Sequence, residues 1–90
     1  MQEKTPKPEK KIIEPLNDEE QLRKIGARIK QLRQSAGYDS GEKFAFEHDI
    51  PRAQYSRYEK GENMRLTSFM KVLSALKVSY VDFFSKGFDD

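Results

Sequence analysis

The sequence predicts an all-α domain of five helices that follows a flexible N-terminal arm. Apolar residues recur at spacings of three and four along most of the chain, which is the period of a helix with one buried face. Residues that favour helix caps and helix ends stand between these stretches, and no stretch shows the alternation typical of a strand. A length of 90 residues leaves room for one domain.

The first helix is predicted to begin at Asn17 or Asp18 and to end at Gly37. Asp18 and Gln21 have the spacing of a capping box, in which side chains bond the free backbone N–H groups of the first turn. Gly37 suits the left-handed conformation that often follows the last helical turn. Between these ends, residues at helical spacing are expected to form one buried stripe, namely Leu22, Ile25, Ile29, Leu32 and Ala36.

Two shorter helices are expected next, with a tight turn between them. The second helix covers roughly 41–48 and has Asp39 or Ser40 as its cap. Pro51 cannot lie inside a helix but fits a cap or the first helical position. The third helix therefore begins at Pro51 or one residue later, and Gly61 ends it.

A fourth and a fifth helix complete the predicted domain. The fourth begins at Leu66 or Thr67 and has one apolar face, made of Phe69, Val72, Leu73 and Leu76. Ser79 and Asp82 again have capping-box spacing and start a short fifth helix. That helix carries Val81, Phe83 and Phe84.

The expected organisation is an arm over 1–17, a helical domain over 18–85 and a tail over 86–90. Three of the four prolines lie within the first sixteen residues, where no hydrophobic periodicity is present. Such a segment cannot bury enough apolar surface to order itself, so the arm is predicted to be flexible.

The composition argues against enzymes, metalloproteins and membrane proteins. The chain has no cysteine and one histidine, which excludes thiolate chemistry, disulfides and multi-histidine metal sites. His48 lies between two acids that share no ligating face with it, so it is expected to pack half-buried instead. No serine has a plausible histidine partner, and we expect no catalytic residue, metal or cofactor. No apolar run approaches about 18 residues, and no signal peptide is recognisable, so a cytoplasmic protein is expected.

Charge is distributed unevenly along the chain. Residues 22–77 contain twelve basic and six acidic side chains, a net charge of +6, whereas 1–21 and 78–90 each carry −2. A basic body between acidic ends is the pattern of a protein that binds a polyanion. A surface of lysines and arginines that are merely solvated is the alternative, and charge alone does not decide between them.

Residues 41–60 are predicted to form two helices joined by a tight turn, which is the arrangement of a helix-turn-helix unit. Residues 22–84 resemble the phage-repressor, Cro-type (XRE) helix-turn-helix regulators. The resemblance rests on Phe44-Ala45 in the second helix, on Arg57-Tyr58-Glu59-Lys60-Gly61 closing the third, and on Leu76-Lys77-Val78-Ser79 before the last. It implies a lambda-repressor-like fold that binds double-stranded DNA at specific sequences, regulates transcription and has no enzymatic activity.

The sequence departs from the family pattern around the turn. Asp49 stands where the family usually has glycine, and Pro51 stands where it usually has serine or threonine. The segment before the second helix is one residue longer than usual and lacks the usual glutamine. The phosphate contact that the family makes there would then come from Ser40, from the Gly41 backbone or from Lys43.

The third helix is expected to read bases in the major groove of DNA. Tyr55 and Tyr58 are three residues apart and, by resemblance, stand where the family has aliphatic core residues, so they are expected to point inward and to turn the opposite face of the helix outward. Arg52 has the fork geometry that bonds both acceptors of guanine, and Ala53 can touch a thymine methyl group. The residues expected to contact bases are Arg52, Ala53, Gln54, Ser56 and Arg57.

Phosphate contacts are expected on either side of the third helix. They would hold the protein in register on the duplex without reading its sequence. The residues assigned to this role are Ser40, Lys43, Lys60, Asn63 and Arg65. The alternative is that these side chains only solvate the surface.

Arg33 and Glu59 have a different expected role. By resemblance, they match a partly buried ion pair that joins the first helix to the end of the recognition helix. Arginine can present two parallel donors to a carboxylate, which sets an angle as well as a distance. The pair is therefore expected to position the scaffold.

Two functional hypotheses remain at this point. The first is a repressor that acts as a homodimer on a near-palindromic operator. Within the cluster Phe83, Phe84 and Phe88, either Phe83 or Phe84 is expected to cap the core, and the remaining aromatic surface would form the twofold contact. The second is a protein-interaction module or an antitoxin, whose arm over 1–17 binds a partner protein. Sequence-selective DNA binding discriminates between them.

Overall fold

The computed structural model describes residues 15–89, and within this range it contains five α-helices and no strand. The helices are α1 (Asp18–Ser35), α2 (Gly41–Glu47), α3 (Arg52–Glu59), α4 (Leu66–Leu76) and α5 (Tyr80–Phe83). The all-α prediction is confirmed. Most of the expected N-terminal arm, residues 1–14, lies outside the described residues.

Side-chain caps mark the beginnings of three helices. Of the two alternatives for α1, Asn17 is the cap, and its Oδ1 accepts a hydrogen bond from the Glu20 backbone N–H at 2.9 Å. Ser40 rather than Asp39 caps α2. Ser79 caps α5, as the spacing predicts, with its Oγ accepting from the Asp82 N–H at 3.0 Å.

Left-handed backbone turns end the first helix and shape the connections. Gly37 and Gly61 have φ values of 95° and 92°, which glycine adopts without a steric penalty. Asp49 lies in the same region at φ 58°, so the turn after α2 forms as predicted without glycine. Lys77, the residue after α4, is also left-handed at φ 60°.

The core lies between α1, the α2–α3 pair and α4, and α5 closes one end of it. Its fully buried centre contains Ile29, Phe44, Val72 and Phe83, and Tyr55 is buried beside them. The rings of Phe44 and Tyr55 pack with their centroids 5.2 Å apart, which joins α2 to α3. Burial of these large side chains is the main stabilising contribution available to a domain this small.

One detail of the predicted burial is wrong. Ala36 is exposed rather than part of the α1 stripe, because it is the C-cap of the helix and lies past its last turn. On α5, Phe83 alone enters the core, while Val81 and Phe84 are 79% and 45% exposed. His48, the C-cap that follows α2, is half-buried as expected, and its ring centroid lies 4.7 Å from that of Phe44.

Gly26 permits the closest approach between α1 and the end of α3. A Cβ atom built at this position would lie 2.6 Å from the carbonyl oxygens of both Tyr58 and Glu59. These are backbone atoms that cannot move without shifting the helix. The apolar spacing of α1 gave no indication of this contact, because the decisive feature is a missing side chain.

Arg28 is nearly fully buried and joins α1 to the C-terminal end of α5. Its Nε donates to the Phe83 carbonyl and its Nη2 to the Asp82 carbonyl, both at 2.7 Å. Its Nη1 donates to Gln31 Oε1 at 2.6 Å. The guanidinium thereby donates to the last carbonyl groups of α5, which have no partner within the helix itself.

Among the described residues, no helix combines the length and the apolar character needed to cross a membrane. The described residues also contain no group of three or more histidine, cysteine, aspartate or glutamate side chains that could hold a metal ion.

Replacing Gly26 with Ala should destabilise the domain, although alanine is the better helix former by about 1 kcal/mol. The added methyl group overlaps backbone oxygens, and overpacking of this kind costs about 1–3 kcal/mol. Urea denaturation followed by circular dichroism measures the change. The control is Ala27→Gly at the next, exposed position, where glycine should be the destabilising residue. A Gly26→Ala variant more stable than the wild type would contradict this packing argument.

Candidate nucleic-acid interface

The turn between α2 and α3 is held from two sides. The Ile50 N–H donates to the Ala45 carbonyl at 2.9 Å, and the Ile50 side chain is buried in the core. From α4, the Lys71 ammonium group donates to the Asp49 carbonyl at 2.9 Å. These bonds fix the angle at which α3 leaves α2.

The buried tyrosines of α3 determine which of its faces is exposed. Tyr55 and Tyr58 are 2% and 4% exposed and point into the core. The other side of the helix presents Arg52, Ala53, Ser56 and Arg57, which we call the α3 face. Ser56 is half-buried and the other three are exposed.

Gln54 lies at the border of the α3 face and lines one concavity with Arg57. Its side chain is half-buried and its Nε2 donates a hydrogen bond to the Tyr58 hydroxyl. It borders a small concavity together with Ser68 and Lys71 of α4. The structure therefore turns this predicted base-contacting residue toward α4, at the border of the exposed surface.

Both arginines of the α3 face have a carboxylate beside them. Arg52 Nη1 donates to Glu42 Oε2 at 2.9 Å. Arg57 Nε lies 3.7 Å from Glu62 Oε1, which is an ion pair without a hydrogen bond. No local sequence pattern indicates either ion pair. Glu42 is ten residues from Arg52 and comes close only through the angle between α2 and α3.

The candidate phosphate-binding residues lie on both sides of the α3 face. Asn63 and Arg65, in the loop after α3, line one concavity of about 210 Å³ together with Arg57. Lys60, the C-cap of α3, is exposed beside them. At the other end, Ser40 Oγ accepts the Lys43 backbone N–H at 3.2 Å, and the Lys43 side chain is exposed in the first turn of α2.

Comparison with protein families matches residues 29–83 to a helix-turn-helix model. The match covers more than half of the chain and includes all of α2, α3 and α4. The chain belongs to the XRE helix-turn-helix family. Comparison with curated proteins gives no significant match.

Membership in this family makes the protein a DNA-binding transcription regulator. The family is one of DNA-binding proteins rather than enzymes. The helix-turn-helix unit is α2, the turn at Asp49, and α3.

The helix-turn-helix unit is attached to α1 through Arg33 and Glu59. Arg33 Nε donates to Glu59 Oε2 at 2.8 Å and its Nη2 donates to Oε1 at 3.2 Å, which is a two-pronged ion pair. The third donor, Nη1, bonds the Tyr38 carbonyl at 2.8 Å. The Tyr55 hydroxyl also donates to Glu59 Oε2, so the carboxylate receives bonds from α1 and from α3 itself.

This network shifts two pKa values. The hydrogen bond to Glu59 raises the pKa of Arg33, so its charge is permanent. Burial raises the pKa of Tyr55, and its hydrogen bond to the Glu59 carboxylate raises it further. Both effects disfavour a phenolate next to an existing negative charge.

Replacing Arg33 with Met should destabilise the domain by about 3 kcal/mol, because it leaves the Glu59 carboxylate without its charged partner in a buried site. We expect a lower Tm and weaker binding to every DNA sequence by the same factor. The control is Lys30→Met, which removes a charge from the exposed side of the same helix. An Arg33→Met variant with unchanged Tm would refute the positioning role.

Alkaline conditions should unfold the protein partly through Tyr55. Its pKa is raised in the folded state, so its contribution to stability is complete below the unfolded pKa of about 10 and is lost as the pH rises above that value. Tyr55→Phe should therefore lose less stability per pH unit above about pH 10 than the wild type. Urea denaturation at a series of pH values measures this slope. Tyr80→Phe, which removes the hydroxyl of an exposed tyrosine, should not alter it.

Proposed function

We propose that this regulator is a repressor that binds a near-palindromic operator as a homodimer, with α3 in the major groove. The observation that carries the proposal is the orientation of α3, whose tyrosines are buried while Arg52 and Arg57 face outward. An α-helix fits the major groove, and the side chains near its N-terminus reach the base edges.

The chemistry of the α3 face suits base recognition. Arg52 is the first residue of α3 and presents a planar fork that matches the O6 and N7 acceptors of guanine. Ala53 offers a methyl group of the size that contacts thymine, and the Ser56 hydroxyl can donate or accept. Arg57, one turn further along, reaches either a base or the sugar-phosphate backbone.

Phosphates on both sides of the groove would complete the contact. Lys43 near the start of α2 and Lys60, Asn63 and Arg65 after α3 are exposed and surround the α3 face. Each neutralised phosphate releases bound counterions, so affinity should depend steeply on salt.

Dimerisation would use the exposed apolar side chains of α4 and α5. Met70, Tyr80, Val81 and Phe84 are all between 42% and 79% exposed. An isologous contact through this surface would pair two copies of the chain, and adjacent half-sites would require their α3 helices to lie about 34 Å apart, which is one turn of the duplex. The antitoxin alternative depends on the arm over 1–17, of which residues 1–14 lie outside the described residues.

Selection of bound duplexes from a randomised pool, followed by a salt titration, tests the proposal. We expect a motif with twofold symmetry, and an affinity that falls by at least about tenfold between about 50 and about 200 mM salt. Arg52→Ala should relax the preference at one base pair per half-site, with a loss of discrimination of about 1–3 kcal/mol. Lys30→Ala, which removes a charge from the exposed side of α1, should leave the motif unchanged.

Two results would contradict the proposal. A chain that selects no motif and shows a shallow salt dependence is an interaction module with the same fold. A motif that survives the Arg52→Ala substitution unchanged would show that α3 is not the reading helix.

A further inference from the structure

We propose that Glu42 is a specificity-determining residue, whose carboxylate holds the Arg52 guanidinium in the orientation that reads guanine. The inference rests on the proposed function, because it takes Arg52 as a base-contacting residue. It adds a residue of α2 to the recognition of a base pair. From charge alone, an acid near DNA would be expected only to weaken binding, whereas Glu42 is assigned a role that favours one base.

The geometry of the pair leaves the reading edge of the guanidinium available. The hydrogen bond to Glu42 is made by Arg52 Nη1 at 2.9 Å. The edge formed by Nε and Nη2 is a different one, and its two N–H groups are parallel. Arg33 uses this same edge to bind both oxygens of Glu59, at 2.8 and 3.2 Å. Guanine presents two acceptors side by side as that carboxylate does.

Holding Arg52 in one orientation has an entropic advantage. A free arginine side chain on a helix surface samples many rotamers, and ordering it on binding costs free energy. A partner on the neighbouring helix removes part of that cost beforehand. Both side chains are about two-thirds exposed, so water weakens the pair in the free protein. Exclusion of water at a DNA interface strengthens it.

The same carboxylate has a cost that does not depend on sequence. Glu42 lies in the first turn of α2, close to Ser40 and Lys43, where a phosphate is expected to approach. A negative charge there repels the backbone of any duplex. The Glu42 side chain is therefore expected to have two opposite effects on DNA binding. Glu42 should weaken binding to all DNA and strengthen discrimination at one base pair.

Binding measurements on the full chain with three duplexes test the effect of Glu42 on overall affinity and on base discrimination. The first carries the motif selected by the wild type, the second has adenine in place of the guanine whose preference Arg52→Ala relaxes, and the third has a random sequence. Fluorescence anisotropy at one salt concentration gives each affinity. In Glu42→Ala, the guanine-to-adenine affinity ratio should fall by at least about threefold, a part of the discrimination of a bidentate contact. Affinity for the random duplex should rise about twofold.

Matched variants distinguish orientation from charge. Asp39→Asn removes a negative charge three residues earlier from an exposed position. It should raise the affinity for all three duplexes by the same factor and leave the ratio unchanged. In an Arg52→Ala background, Glu42→Ala should no longer change the ratio, because the side chain it orients is gone. Circular dichroism melts verify that each variant is folded.

An unchanged ratio in Glu42→Ala would overturn the inference and leave only charge repulsion. A ratio that rises would overturn it as well, since Glu42 would then be withholding Arg52 from DNA. If Arg52→Ala abolishes the guanine preference while Glu42→Ala does not affect it, this inference fails and the proposed function stands. If the wild type selects no motif, both fail.

Discussion

The Glu59 carboxylate ties the last turn of α3 to α1, and the placement of the helix-turn-helix unit depends on this tie. It accepts two parallel bonds from Arg33 and one from Tyr55, so its position is set in both distance and angle. Gly26 permits the accompanying close approach of the two backbones. A buried pair of this kind contributes less to stability than to geometry, because desolvation offsets much of the attraction. Its main consequence is that the α3 face keeps one orientation relative to the rest of the domain.

Sequence reasoning located the five helices because each has a local signal. Apolar spacing placed the buried faces of α1 and α4, and Asn17, Ser40 and Ser79 are residues with strong capping preferences. The roles of Arg28 and Gly26 were beyond such reasoning. A buried arginine does not belong to an apolar pattern, and the oxygens that it binds belong to Asp82 and Phe83, far away in sequence.

Those features of the candidate interface that depend on a single helix could be predicted from the sequence. The spacing of Tyr55 and Tyr58 defined the inner side of α3, and the outward position of Arg52 and Arg57 followed. The contact between Glu42 and Arg52 was not predictable, because it depends on the angle between α2 and α3. The Arg33 contact to α3 was expected only through the family resemblance. The Gln54 bond to Tyr58 shows that even within α3 a polar side chain can turn away from the exposed side. The roles of these residues toward DNA stay predictions.

The Arg28 bonds have a consequence for the order in which the domain assembles. They join residues 54 and 55 positions apart, whereas α2 and α3 follow each other directly along the chain. Closing a long loop costs more conformational entropy than closing a short one, and distant contacts slow folding. The α2–α3 hairpin is therefore expected to nucleate early, with α5 docking late. The terminal helix would then be the first element to detach when the native state opens locally.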